Sequence, residues 1–464
     1  MIPELHDKVG GPAFIKASRW NNLPDSNTMD TAVDTAWDSY NVIQSAFLNK
    51  QKQLYGGWTS GYYSIDLYTE LRPSSTDPAY LKKNSASVIN SLKAVDPSAV
   101  WVMQGWNFVN DQKSWTLPAI EAYLSGVDDA SLLILDLASE SMPVWSRANN
   151  FYGKKWIWNT LLNYGMNNGL YGALDYYNSQ IVAAQRNGGK LAGQGITPEG
   201  LNQNEALFEM AMDTAWTTQQ INVGGWIKAW IARRYGLDLP ARAPAKAAVE
   251  AAWDLLARSV YNSNDLAVKC TTRSIFDLVP GTDTYGTTGN YLATKLTYKT
   301  SDVVSALDKL LAGAAAVPSL AAVPAFSYDL VDVARQALLN AGIPPYQRML
   351  SAWKAGNTTG IRAEGATIIS LLNDTDTVLA TDKNFLLAPW ISSARAWGAT
   401  PAAKDFMEYQ ARNQISTWGP GTQAPWTLDR YAAKHWAGVV KDLFAPGWQL
   451  FIDHREWKGS RGVK

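Results

Sequence analysis

Short apolar runs recur through the first part of the chain, at Tyr62–Leu67, Ala99–Gln104, Leu132–Leu137, Lys155–Leu162 and Lys190–Ile196, with Pro12–Ala17 as a candidate earlier member. Runs of this length, bounded by Gly, Pro, Asn and Ser, predict strands. Between them lie stretches such as Pro78–Ala94 and Leu117–Leu124, whose apolar positions recur at helical spacing. The runs start roughly 25–40 residues apart, near the ~30 residues of one βα unit, so the pattern predicts parallel strands wound through helices. Each of the first three runs leads to a polar or aromatic group, Glu70, Trp106 and Glu140, at the end where a barrel places its site. About five or six strands fall short of the eight that close a (β/α)8 barrel.

From Asn202 onward the strand signal fades. Glu205–Trp216, Gly225–Arg234, Ala245–Val260, Ser301–Ala314, Asp329–Ala341 and Pro345–Lys354 read as amphipathic helices, with about two or three more before the end. Leu239–Pro244 reads as a connection, and Asn262–Lys299, rich in Thr and Gly, as the longest irregular stretch. The predicted fold class is therefore α/β: part of a (β/α)8 TIM-type barrel over residues 1–218, followed by an all-α helical domain over 219–464.

Composition narrows the chemistry. Forty-one basic and 41 acidic residues cancel, so no bulk field draws nucleic acid. The single cysteine, Cys270, excludes an intrachain disulfide, and His6, His435 and His454 are scattered without ligand spacing; no metal and no cofactor is expected. No run approaches the ~20 apolar residues of a membrane span, because Pro318 and Pro324 break the alanine-rich Leu310–Phe326. The first residues lack the basic and apolar regions of a signal peptide. Sequons at Asn357 and Asn373 are compatible with secretion.

The aromatic content, 21 Trp and 21 Tyr, gains meaning beside two carboxylates at strand ends. Pro198 fixes its own φ and holds Thr197 extended, and Gly200 permits a sharp turn, so Glu199 should leave its strand in a defined direction. Glu70 follows the Tyr62–Leu67 run. One carboxylate as acid/base, a second as nucleophile and aromatic faces for the ring are the equipment of glycoside hydrolysis. The rival reading makes both glutamates solvated loop groups and most tryptophans core. Asp66 and Glu140 also fall near strand ends, and Glu140 could orient Glu199 or form an ion pair. Glu205 opens a helix, which it would cap, or it accepts a backbone hydrogen bond. Asn163 and Asn167 read as turn residues around Gly165.

Longer segments carry a resemblance. Trp101–Trp106, Leu132–Ser141, Phe151–Trp158, Asn163–Gly169, Thr197–Gly200, Asn204-Glu205, Ala232–Gly236, Ser259–Asn262, Tyr328–Asp332 and Thr417–Pro420 stand in an order that resembles the alpha-N-acetylglucosaminidase family, glycoside hydrolase family 89. The resemblance implies that Glu70 is the acid/base and Glu199 the nucleophile. It implies that Trp20, Trp106, Leu137, Trp418 and Tyr431 contact the sugar, the last two from a loop folded over the barrel mouth. The substrate would be a glycan ending in α-linked N-acetylglucosamine, and the location secreted or lysosomal. Relatives often associate, so a homo-oligomer is possible. The chain is expected to lack the family's small N-terminal domain and first barrel strands. It departs from the family where Thr69, a shorter side chain with one hydroxyl donor, replaces Asn before the acid/base. In an α-linked substrate the 2-acetamido group lies on the face of the leaving oxygen and cannot attack from behind. A protein carboxylate must attack instead, giving retention with carboxyl groups about 5–5.5 Å apart. The rivals are a fragment that binds N-acetylglucosamine without cleaving it and a truncated inactive paralogue.

Overall fold

The computed structural model describes residues 14–16, 18, 31–35, 38–57, 60–200, 203–265, 267–289, 292–419 and 428–460. The chain divides into two compact units, Met1–Leu161 with Gln180–Thr197, and Leu162–Ser179 with Pro198–Lys464.

In the first unit, β1 (Phe14–Lys16) pairs antiparallel with β2 (Thr31–Val33), with Ile15 opposite Ala32. The Pro12–Ala17 run was expected to begin the parallel series; its described part instead belongs to this separate two-stranded sheet. The backbone partners of β1 lie fewer than twenty residues ahead, a local pairing that needs no crossover helix.

The main sheet has five parallel strands in chain order: β3 (Tyr62–Ser64), β4 (Val100–Gln104), β5 (Leu132–Asp136), β6 (Lys155–Thr160) and β7 (Leu191–Ile196). Four helices, α1 (Asp38–Tyr55), α2 (Pro78–Lys93), α3 (Asn107–Asn110) and α4 (Leu117–Leu124), precede β5, and α5 (Leu174–Asn187) joins β6 to β7. Only the β5-to-β6 crossing lacks a long helix; it runs through turns and the short 3-10 segment Asn149–Gly153. This is the βα winding that the spacing predicts. Alternation in β4 sends Trp101 and Met103 into the core, and β6 does the same with Trp156 and Trp158. The β3 strand stops at Ser64, yet Ile65 still donates to the Val102 carbonyl at 3.3 Å, so the chain stays along β4 toward Asp66.

Helix α2 shows how sequence fixes an element. Asp77 accepts the Tyr80 N–H at 3.0 Å and Pro78 fills the first helical position. Leu81, Val88 and Leu92, at i, i+7 and i+11, then bury one face. Beside it Trp115 meets Tyr123 and Phe108 edge-on at 5.1 and 5.2 Å, each pair worth about 0.5–1.5 kcal/mol beyond its buried area. For Trp101, Trp115, Trp156 and Trp158, fully buried, the core reading of the aromatics holds.

The second unit is helical. Its described helices after α5 are α6 (Glu205–Asp213), α7 (Val223–Tyr235), α8 (Ala243–Arg258), α9 (Thr300–Ala316), α10 (Pro324–Ala341), α11 (Ile343–Lys354), α12 (Thr358–Leu379), α13 (Leu387–Ala396), α14 (Pro401–Gln414) and α15 (Ala445–Ser460). Four helices follow Lys354 where about two or three were expected, because Thr400 and Pro401 restart a helix after a three-residue turn. One core gathers Trp230, Trp253, Tyr235 and Phe326. There Arg234 clamps Asp329 with bonds of 2.7 and 3.0 Å, and the Tyr235 hydroxyl donates to the same carboxylate at 2.5 Å. A second core surrounds Trp448, met edge-on by Phe276 and Tyr346. Among the described residues no helix is long and apolar enough to cross a membrane.

Candidate active site

Glu70 follows β3 in a turn and takes φ 57°, left-handed for a residue with a Cβ, a strain of about 1–2 kcal/mol of the kind found at functional sites. The Trp106 indole N–H donates to Glu70 Oε1 at 3.1 Å. Trp106 is half-buried just past β4, and Gly105 beside it donates to the Leu135 carbonyl at 2.7 Å, tying that strand end to β5. Asp66 accepts the Gln104 N–H at 3.0 Å; burial pushes its carboxyl up, against that bond. Thr69 Oγ1 is buried with no hydrogen-bond partner among the described residues.

Leu137, half-buried after β5, offers its carbonyl to the Thr197 hydroxyl at 2.9 Å. Glu140 accepts the Leu161 N–H at 3.1 Å and so braces the chain leaving β6. Asp136, fully buried at the end of β5, accepts the Val144 and Trp145 N–H groups, each at 3.0 Å to Oδ2. Burial pushes it up to about 7, against those bonds.

Glu199, exposed in the second unit, accepts two hydrogen bonds on one oxygen. The Gly165 N–H and the Tyr431 O–H each lie 2.5 Å from Oε2. No described donor bonds its Oε1. Gly200 allows this loop geometry, since a Cβ there would stand 1.9 Å from Met166 Cγ. Gly165 is more tightly constrained: it has φ 61°, and a Cβ would stand 2.2 Å from the Tyr431 carbonyl oxygen. Gly165→Ala is therefore expected to cost about 2–4 kcal/mol through overpacking and backbone strain. An unchanged urea midpoint in that variant would show that the two loops do not interlock at Gly165. The Trp418 ring packs 5.5 Å from Tyr431. Trp20 lies outside the described residues.

A layer of charge underlies Glu199. Lys434, 3% exposed, donates to the Gly165 carbonyl, and to that of Ala432 at 2.7 Å. Arg273, 2% exposed, donates to the Arg430 carbonyl at 2.7 Å and to that of Tyr431. Arg335 donates to His435 Nδ1 at 2.7 Å. A guanidinium can only donate, so Nδ1 carries a lone pair and the opposite Nε2–H donates to Asp277. Burial holds His435 below its usual range, consistent with that neutral ring. Burial alone would raise Asp277, but His435 and Arg273 outweigh it and keep the carboxyl low.

Burial, then Arg273, brings Lys434 down to about 7, while Asp277 and Glu199 oppose the shift. The unfolded chain keeps this proton to the ordinary value of 10.5. Between these values the unfolded state binds more protons, so stability from this group rises with pH, and its penalty is full below 7. The melting-temperature difference, Lys434→Met minus wild type, is expected to fall between about pH 6 and about pH 9. A flat difference over that window would overturn the buried charge as its cause.

The structure thus brings Glu70 together with Trp106, and Glu199 with Tyr431 and Trp418. Tyr431 directs its hydroxyl to Glu199, so it acts on a carboxylate and not only as an aromatic face. Glu205 accepts a backbone N–H at the start of its helix, one of the two roles expected of it; it also lies 3.9 Å from Arg234, and burial with Asp329 pushes it up to about 7. Asn167 does turn the chain, accepting the Gly169 N–H at 3.0 Å, while Asn163 donates to the Gly200 carbonyl at 3.2 Å. Lys434, Arg273, Asp277 and Arg335 were not singled out by sequence, because what sets them apart is burial, which depends on what packs against them.

Comparison with known proteins places these features. Residues 1–218 match the family model described as the alpha-N-acetylglucosaminidase (NAGLU) tim-barrel domain, and residues 226–463 match that of its C-terminal domain. The chain is 36% identical over 456 residues to alpha-N-acetylglucosaminidase of Homo sapiens, covering 97% of this chain and 58% of the relative. A family 89 glycoside hydrolase from Clostridium perfringens, solved with PUGNAc, superposes with a TM-score of 0.85 at 25% identity, over 97% of this chain and 49% of that one. A form solved with its substrate GlcNAc-alpha-1,4-galactose gives 0.84 at 26% identity, with the same coverage. The chain spans about half the length of these relatives. Matched along both its barrel-type and its helical part, this chain belongs to the alpha-N-acetylglucosaminidase family of glycoside hydrolases.

Proposed function

We propose that this chain is a retaining exo-α-N-acetylglucosaminidase that releases terminal α-linked N-acetylglucosamine from glycans. The observation that carries the reading is the Glu199 carboxylate, exposed and bonded by two donors through one oxygen only. Two donors on Oε2 fix the carboxylate plane, which leaves Oε1 to attack. A carboxylate oriented in this way, with one oxygen uncommitted, suits a nucleophile.

In the first step Glu199 Oε1 attacks the anomeric carbon while Glu70 gives its proton to the departing glycosidic oxygen. The product is a β-linked glycosyl ester on Glu199 and a free alcohol. In the second step Glu70, now a carboxylate, takes a proton from water as the water oxygen attacks the same carbon. The ester bond breaks, and the sugar leaves with its original α configuration. The Trp106 N–H bond to Glu70 supports an orienting role for that indole. Trp106, Leu137, Trp418 and Tyr431 are proposed as the sugar-contacting groups, with no metal or cofactor in either step.

The same proposal takes residues 1–218 and 219–464 as the functional domains, and a secreted or lysosomal setting, by likeness to the family. The Thr69 hydroxyl, without a hydrogen-bond partner among the described residues, favours a second reading, an impaired protein that holds the sugar without cleaving it. Incubating the purified chain with an aryl α-N-acetylglucosaminide separates the two. Release of the phenol with α-configured N-acetylglucosamine is expected. Sugar binding without release would support the impaired form.

A further inference from the structure

Between α13 and α14 lies a cleft of about 380 Å³, lined by Trp390, Trp397 and Trp418 together with Gln410, Asn413 and Gln414. Among the described residues no ionisable side chain lines it. Trp390 is fixed by its indole N–H on the Ala411 carbonyl at 3.0 Å and by the Trp436 ring 6.0 Å away. Asn413 anchors the third tryptophan: its carbonyl accepts the Trp418 N–H at 2.7 Å, and its side-chain oxygen accepts from Thr417 and Gly419. Trp397, by contrast, is 83% exposed, a large apolar surface left in water that folding alone does not require.

This cleft runs on from the proposed nucleophile. Glu199 is bonded by Tyr431, the Tyr431 ring packs on Trp418, and Trp418 forms one wall of the cleft. Indole faces receive the C–H faces of sugar rings; the amides of Gln410 and Gln414 can both donate to and accept from hydroxyls, and the Asn413 amide nitrogen can donate. With no cation in the described lining, a sulfate or uronate entering the cleft would shed its hydration without a charged partner. Exo action leaves a glycan only one direction in which to extend, beyond the leaving oxygen. We propose, resting on the function above, that this cleft is an additional subsite that binds uncharged sugars on the leaving-group side of the scissile bond. The remote contact would lower KM for longer neutral glycans and leave the chemical step unchanged.

The test compares two substrates on the full chain: an aryl α-N-acetylglucosaminide, which has no sugar beyond the bond, and a neutral trisaccharide ending in α-N-acetylglucosamine on galactose. Trp397→Ala is expected to lower kcat/KM on the trisaccharide about tenfold, through KM, the scale of one aromatic contact. The rate on the aryl glycoside should not change, and Gln410→Ala should act in the same direction more weakly. Equal effects on both substrates, or none on the trisaccharide, overturn the subsite. A dimer that Trp397→Ala dissociates, with both rates unchanged, overturns it in favour of self-association. If the wild-type chain leaves the aryl glycoside intact, the hydrolase reading fails separately. Titration with the same trisaccharide, followed by NMR, then decides the cleft: binding that Trp397→Ala removes upholds it, and binding that is absent or unaffected overturns it.

Discussion

Glu199→Ala is expected to lower hydrolysis of every α-N-acetylglucosaminide by about 10⁴-fold or more, the scale of removing a group that forms the covalent intermediate. The loss should not depend on the leaving group, because the nucleophile is needed whichever group departs. Azide supplies the stereochemical readout. In the space vacated by Glu199 it can attack only opposite the leaving oxygen, so the variant should convert an activated α-substrate into the β-glycosyl azide. Wild type should give no such product. Ordinary turnover by the variant, or an azide adduct of retained configuration, would sink the assignment. The substitution also removes the acceptor for the Gly165 N–H and the Tyr431 O–H. Glu199→Gln, which keeps one acceptor oxygen at this place, should therefore be just as inactive yet closer to wild type in melting temperature.

Glu70→Gln should produce a different pattern. A general acid contributes about 10²–10⁴-fold, and only when the departing oxygen needs a proton. Sugar leaving groups should thus lose most of their rate, whereas dinitrophenol, stable as an anion, should depart almost as fast as from wild type in the first step. Release of the glycosyl ester would then limit turnover, giving a burst of phenol followed by a slow phase, and azide should speed that phase to give the α-azide. Equal losses on sugar and dinitrophenyl substrates would take Glu70 out of the acid role. Glutamine keeps an acceptor for the Trp106 N–H, which lies 3.1 Å away, so the pattern separates lost proton transfer from lost packing.

The strands and helices were legible because each is specified locally. Leu132–Asp136 and Leu191–Ile196 lie inside the apolar runs that predicted them, and Leu117–Leu124 has the predicted bounds. Where a run was short and its partner close, periodicity could not say which sheet it joined, and Phe14–Lys16 paired with Thr31–Val33. Many of the 21 tryptophans look alike in sequence, yet Trp156 and Trp158 are core while Trp397 stands in water. Burial is a property of what packs against a side chain, and no count of aromatics contains it.

The βα winding, the helical second half, the family, and Glu70 and Glu199 as the carboxylates to examine were all legible along the chain. All of these depend on period, on punctuation by Gly and Pro, or on short contiguous segments. The tertiary structure alone decided how Glu199 is held. Gly165 and Tyr431 lie on separate loops hundreds of residues apart in the chain, and only folding sets them beside one carboxylate oxygen. It likewise decided that Lys434 is buried beneath Gly165 and that His435 is neutral between Arg335 and Asp277. A proton's affinity for a side chain is fixed by lost water and by neighbouring charge, and both come from residues distant in sequence.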